Sequence, residues 1–239
     1  PDAWSLRWYK NMIGNCSADV VSSTVPCSNK WMIGTVNSFF IGFIATFIAT
    51  TLGTLAALGL SRPHMPYKGL IMAILISPMI VPLIITAAGM FFFYARINLV
   101  YSFTGIILAH VALATPFVVI TVTATLVGFD MNMVKASQSL GARPVRTFFK
   151  VIMPLILPGV ISGALFAFIT SFDEVVIVMF MGSLDQLTIP KQMWAGIRQE
   201  ISPVILCMAT CLVVLSILLL TTVELLRRRS EKLRGITSR

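Results

Sequence analysis

Charge is scarce in this chain. Only 11% of its 239 residues are Asp, Glu, Lys or Arg, and histidine occurs twice. A soluble globular domain carries about 25% charged residues, so that class is excluded. The usual catalytic signatures are missing too. No Gly-x-x-x-x-Gly-Lys-Ser/Thr loop is present, so ATP is not bound by that route. Neither a His-Glu-x-x-His helix nor a Cys-x-x-Cys pair occurs. His64 and His110 fall in different parts of the chain, and spacing assembles no nucleophile, base and orienter. An enzyme is disfavoured. The four cysteines make no disulfide framework. Cys16 and Cys27 lie in a segment expected outside the cell, where oxidation can occur. Cys207 and Cys211 sit one helical turn apart in an apolar run and read as small core residues.

What is abundant is hydrophobicity, at 57% of residues. It is gathered into five runs, roughly 33–60, 69–94, 103–127, 155–181 and 203–226. A bilayer core of about 30 Å takes about 20 such residues as a helix. The runs are too long and too uniform for porin-type strands, which alternate over about 10 residues. The predicted fold class is all-α, a polytopic helical membrane protein with five spans here. Assigning span ends alternately to two sides divides the 18 Lys and Arg residues twelve against six. Arg62, Lys68, Lys135, Arg143, Arg146, Lys150 and the six of the tail from Arg227 onward lie on one side. Arg7, Lys10, Lys30, Arg96, Lys191 and Arg198 lie on the other. The richer side is cytoplasmic by the positive-inside rule. The expected organisation is an external segment at 1–32, a transmembrane domain at 33–227 and a cytoplasmic basic tail at 228–239. An external start needs something to carry it across, so a further upstream span, making six, is expected. Near the inner rim, Glu224 beside Arg227 and Arg228 reads as an ion pair.

Between the third and fourth runs lies a basic stretch, "MVKASQSLGARPVRTFFKVIMPLILPG". Asp130 suits the N-cap of a helix whose Met133, Ala136 and Leu140 form one apolar stripe. Gly141 is a helix stop and Pro144 fits the first turn of a second helix. In that helix Val145, Phe148, Phe149 and Ile152 repeat on one face, away from Arg146 and Lys150. Residues 130–153 therefore read as a cytoplasmic elbow with a greasy face and a basic face. Two readings stay open on this physics: an interfacial anchor on anionic lipid, or a knob for a cytoplasmic partner.

Asp173 and Glu174, next to Phe172, interrupt the fourth run. Charges inside a span are costly and face a cavity or a partner. At about 1.5 Å per residue they lie ~12–14 Å below the outer edge, and His110 lies ~10 Å deep in its own span. They are candidate pathway residues. The alternative is structural, with Asp173 capping a broken helix or Glu174 pairing with a charge on a partner. Pro78 and Pro82 in the second run, Pro154 just before the fourth and Pro158 within it, are candidate hinges or packing kinks. In the outer segment Met193, Ile197 and Ile201 recur every four residues, so 187–202 predicts a surface helix that anchors through Trp194 and offers a docking face.

The order Lys135-Ala136-Ser137, Gly141, Ile152-Met153-Pro154 resembles the EAA motif of ABC importer permeases, with Lys135 at the usual glutamate. "SFDEVVIVMFMG" and "IPKQMWAGIRQEISPVI" are similar to the spermidine/putrescine group, and the resemblance runs from about 33 to 227. Members of that group often have an acidic residue after the first proline, where this chain has Met79. The resemblance implies a coupling elbow at Met133, Lys135, Ala136, Ser137, Leu140, Gly141, Ala142 and Arg143. It implies half of a pathway for a small polar solute (polyamine-like, opine or amino-acid-like) in a bacterial inner membrane, with the C-terminus cytoplasmic. The implied partners are a second and different permease, two ATPase subunits holding ATP and Mg, a periplasmic substrate-binding protein and the lipid bilayer. Nucleic acid is not among them, and no cofactor belongs to this chain. The reading from another class is a stand-alone secondary transporter or channel using Asp173, Glu174 and His110. Inverted repeats would favour it, and none is evident.

Overall fold

A computed structural model gives the architecture. It describes residues 6–14, 29–62, 65–127, 132–199 and 202–233. Every regular element among them is helical: α1 Arg7–Met12, α2 Lys30–Leu60, α3 Lys68–Ile80, α4 Leu83–Arg96, α5 Phe103–Val127, α6 Asn132–Ser139, α7 Pro144–Thr147, a π-helical turn Phe148–Ile152, α8 Met153–Phe172, α9 Val176–Met181, α10 Ile189–Gln199 and α11 Pro203–Leu233. Asp130, His64, Cys16 and Cys27 lie outside the described residues, as do the side chains of Glu224, Arg227 and Arg228.

Two compact units form: residues 1–35 with 192–239, and residues 36–191. In the first, α1 packs on α11. Val204, Cys207 and Met208 of α11 are buried, and Ile205 closes against Gly196. The second unit is built around α5, which is buried along most of its length. Its core joins Ile41, Ala45 and Ala49 of α2, Ala87 of α4, Ile156, Val160 and Ala167 of α8, and Ile177, Val178 and Met181 of α9.

Among the described residues, three helices are long and apolar enough to cross a membrane: α2, α5 and the continuous stretch Pro144–Phe172. The second predicted run is not one straight helix: it forms α3 and α4, bent by 103° at a short break, the geometry of a broken span or a re-entrant loop. Pro82 is the cause. It forces the preceding Val81 to an extended conformation (φ −71°, ψ 136°), which ends α3. Pro78, by contrast, sits inside α3 without ending it. The fourth run also departs from expectation, breaking into α8 and α9 at Asp173–Val175. The fifth run is α11, apolar over Pro203–Leu218.

Of all the helix pairs, α5 and α8 share the most extensive packing. Ile156, Gly159, Val160, Gly163, Ala167 and Ser171 form the buried stripe of α8. A Cβ on Gly159 would sit 2.8 Å from Thr125 Cβ, and one on Gly163 would sit 3.0 Å from Val118 Cα. Thr121 and Thr125 face these glycines with their hydroxyls turned back onto their own helix: Thr121 Oγ1 donates to Phe117 O (2.9 Å) and Thr125 Oγ1 to Thr121 O (2.9 Å). Small residues at a helix interface let two backbones meet where lipid offers no hydrophobic drive. Gly163→Leu is expected to destabilise the purified protein by about 1–3 kcal/mol through overpacking, read as a lower melting temperature. Gly89→Ala, where an added Cβ meets nothing within 4 Å, should leave it unchanged.

Candidate functional site

Both helix breaks of the second unit meet at one place. An open cleft of about 350 Å³ is lined by Leu83, Ile169, Thr170, Asp173, Glu174 and Val175. Leu83 is the first residue of α4, directly after the Pro82 break. Asp173, Glu174 and Val175 form the break between α8 and α9. Interrupted helices lining a cavity are how membrane proteins expose polar backbone to a solute.

The two acids differ sharply. Asp173 is the C-cap of α8 and is exposed to the cleft. Glu174 is only 7% exposed, and its Oε1 accepts the amide hydrogen of Ile177 at 3.0 Å. It satisfies an orphan donor in the first turn of α9 and places a carboxylate at the positive end of that helix. Asp173 thus takes the C-cap position of α8, and Glu174 supplies the side-chain bond at the start of α9.

The other expected pathway residues lie off the cleft lining. Phe172 stacks in an aromatic group, 5.2 Å from Phe39 and 5.4 Å from Phe168 between ring centroids, and Phe43 lies 5.2 Å from Phe168. The α-helical period explains this: residues 168 and 172 share one face of α8, while 169 and 173 share the adjacent face that lines the cleft. His110 is 2% exposed, and its Nδ1 lies 2.8 Å from Ser171 Oγ, tying α5 to α8. Sequence reading missed Leu83, Ile169, Thr170 and Val175. Leu83 could have been suspected from its place after a helix-breaking proline.

The elbow forms as a closed local motif. Gly141 has φ +78°, its N–H donates to Gln138 O (2.9 Å) and the Ala142 N–H donates to Ser137 O (3.1 Å). That pair of bonds is the Schellman stop, which needs a left-handed residue and so favours glycine. Pro144 then opens α7 as expected. Ser137 Oγ lies 3.0 Å from Thr147 Oγ1 and holds the two arms together. The second arm does not end, however. It continues through the π-helical turn into α8, with Pro154 in the first turn of α8 and Pro158 inside it. Met133, Lys135, Ala136, Leu140 and Arg143 are exposed, Ser137 and Ala142 are half-buried, and Leu140 is 88% exposed. Val145 and Phe149 continue this exposed apolar surface.

The known proteins to which this chain is similar point one way. Spermidine/putrescine transport system permease protein PotC of Haemophilus influenzae is 29% identical over 228 residues, covering 95% of this chain and 84% of that protein. The PotC of Escherichia coli strain K12 is 31% identical over 190 residues, covering 80% and 72%. Putrescine transport system permease protein PotI of the same strain is 28% identical, covering 87% and 72%. Among solved structures, a chain of the MetNI methionine ABC transporter in an inward facing conformation shares the fold. Its TM-score is 0.59 at 22% identity, covering 86% of this chain and 95% of that one. Residues 49–232 match the family profile described as binding-protein-dependent transport system inner membrane component. An all-helical fold with interrupted apolar helices, together with these matches, leads to one conclusion: the chain belongs to the family of binding-protein-dependent transport system inner membrane components and is a transport permease.

Proposed function

We propose that this permease supplies half of the translocation path for a small polyamine-type cation in an ATP-driven importer. The observation that carries this reading is Asp173, an exposed carboxylate in a cleft where two helix breaks meet. A carboxylate there offers a protonated amine a charge-assisted hydrogen bond. The relatives' names, which specify spermidine and putrescine, agree with that chemistry. Glu174 serves the same cleft indirectly, by holding α9.

The elbow is the second element of the reading. Leu140, Val145 and Phe149 present an apolar surface beside a Gly141 stop that is locked by its own hydrogen bonds. A surface of this kind suits the cleft of a partner ATPase, which would hold the ATP and Mg. A second and different permease would complete the path, and a periplasmic binding protein would deliver the solute. Membership of a family of multi-component systems favours this over a stand-alone transporter. The positive-inside balance favours a cytoplasmic elbow and C-terminus in a bacterial inner membrane.

Asp173→Asn is expected to lower spermidine uptake about tenfold, since a hydrogen bond to a charged group contributes about 1.5–3 kcal/mol. Assembly and basal ATPase activity should stay at wild-type level, and unchanged uptake would sink the cleft assignment. Glu174→Ala should behave differently, lowering the melting temperature through loss of a cap contributing about 1 kcal/mol, with uptake falling in step.

Gly141→Val forces a β-branched residue to positive φ, although a side chain there meets nothing within 4 Å. The variant is expected to insert and assemble yet lose solute-stimulated ATP hydrolysis, while Gly141→Asn, which tolerates the left-handed region, should retain it. Normal stimulation in the valine variant would overturn the elbow's coupling role.

A further inference from the structure

Helix α9 is six residues long, yet it forms part of the core through Ile177, Val178 and Met181. A helix this short has little stability of its own. Its N-terminal end is satisfied by the Glu174 carboxylate. Its C-terminal end is held by an unusual concentration of polar contacts. Lys191 Nζ donates to Gly182 O at 2.9 Å and to Ser183 O at 3.1 Å. The Tyr101 N–H donates to Met181 O at 2.9 Å. Gln186, itself buried, accepts from the Ser183 N–H and donates to Tyr101 O, both at 2.9 Å. From α2, Asn37 Nδ2 donates to Asp185 O (3.0 Å) and Leu187 O (2.9 Å), and Ser38 Oγ accepts from the Ile189 N–H (2.9 Å).

We infer that Lys191 is a positioning residue of the solute cleft: its ammonium clasps the C-terminal end of α9, and so holds the Asp173–Val175 break that lines the cleft at the other end of the same helix. This rests on the reading of the cleft as the solute path. The physics is a matched pair of charges. A carboxylate lies at the positive end of α9, bonded to an amide hydrogen that the helix leaves unpaired, and an ammonium lies just beyond its negative end, bonded to the carbonyls of Gly182 and Ser183. Lys191 brings an ammonium to the outer clasp and bonds carbonyls on the residues immediately after α9. Partial burial lowers its pKa from the usual lysine value, because the ammonium gives up water, and the two carbonyls stand in for that water. Gln186, Tyr101, Asn37 and Ser38 fix the loop around it, so the clasp also ties α9 to α2 and to the loop before α5.

The test uses the assembled transporter carrying Lys191→Met, which keeps an apolar stem of similar length, and Lys191→Arg, which keeps the charge. Amide hydrogen exchange over 176–186 reads the clasp, exchange over 106–122 in α5 reads global stability, and spermidine uptake reads the path. The methionine variant should exchange roughly tenfold faster over 176–186, with α5 unchanged and uptake reduced about three-fold or more. The arginine variant should restore most of both. Unchanged exchange over 176–186 overturns the clasp. Faster exchange over 176–186 with wild-type uptake overturns the positioning role, and an equal rise in α5 overturns both, since it would mark a general loss of stability. Asp173→Asn, run alongside, separates the two ideas. Normal uptake in that variant, with the local exchange effect of Lys191→Met intact, removes the solute-path reading and leaves Lys191 as a clasp of α9.

Discussion

The close approach of α5 and α8 is the constraint on which the rest of the second unit depends. Gly159 and Gly163 remove the side chains that would hold the helices apart, opposite Thr125, Thr121 and Val118. On α2, Gly53 repeats the device, since a Cβ there would lie 2.7 Å from Val118 Cβ. With lipid as apolar as leucine, such contacts gain their stability from close packing rather than from excluding water. Close packing also fixes rotation. Once the Ile156–Ser171 stripe of α8 faces α5, the helical period directs Phe168 and Phe172 to the phenylalanines of α2, and Ile169 and Asp173 to the cleft.

Fixed rotation explains why adjacent acids take separate roles. Asp173 completes α8 and stays exposed; Glu174 turns under and caps α9. A buried carboxylate is tolerated because it is hydrogen-bonded and lies at a helix N-terminus. Breaking the helix at this point leaves backbone groups that need partners, and the two charged caps of α9 supply some of them. Under the proposed reading, the result is a capped helix end beside an exposed carboxylate, a suitable arrangement for passing a cation without trapping it in a closed cage.

One helical path joins the elbow to the cleft. From Pro144 the chain stays helical to Phe172, next to Asp173, a length of about 43 Å at 1.5 Å per residue. The π-helical turn at Phe148–Ile152 lies just inside the elbow, ahead of Pro154. Under the proposed reading, movement of the elbow reaches the cleft along one rod whose packing against α5 resists bending. The Ser137–Thr147 contact joins the outer arm of the elbow to that rod. Transport in such an arrangement needs no catalytic group in this chain, in keeping with its family of transport permeases.

The sequence alone determined the features whose causes are local. Uniform apolar runs are long enough for helices across a bilayer, so the all-helical membrane class followed from composition and run length. Gly141 and Pro144 act through bonds within six residues, and both stand where spacing placed them. Long-range arrangement was illegible because the spanning helices are apolar on nearly every face, and periodicity then carries no information about which side meets which neighbour. Pro82 signalled a break but not a bend of 103°, which depends on what the two halves pack against. His110 meets Ser171 across 61 positions, and Asn37 reaches Leu187 across 150. The meeting of two helix breaks at one cleft, the separation of Asp173 from Glu174, and the grip of Lys191 on α9 were decided by tertiary structure. The first two depend on how packing against α5 fixes the rotation of α8, and the third on how the loop after α9 folds back onto Lys191.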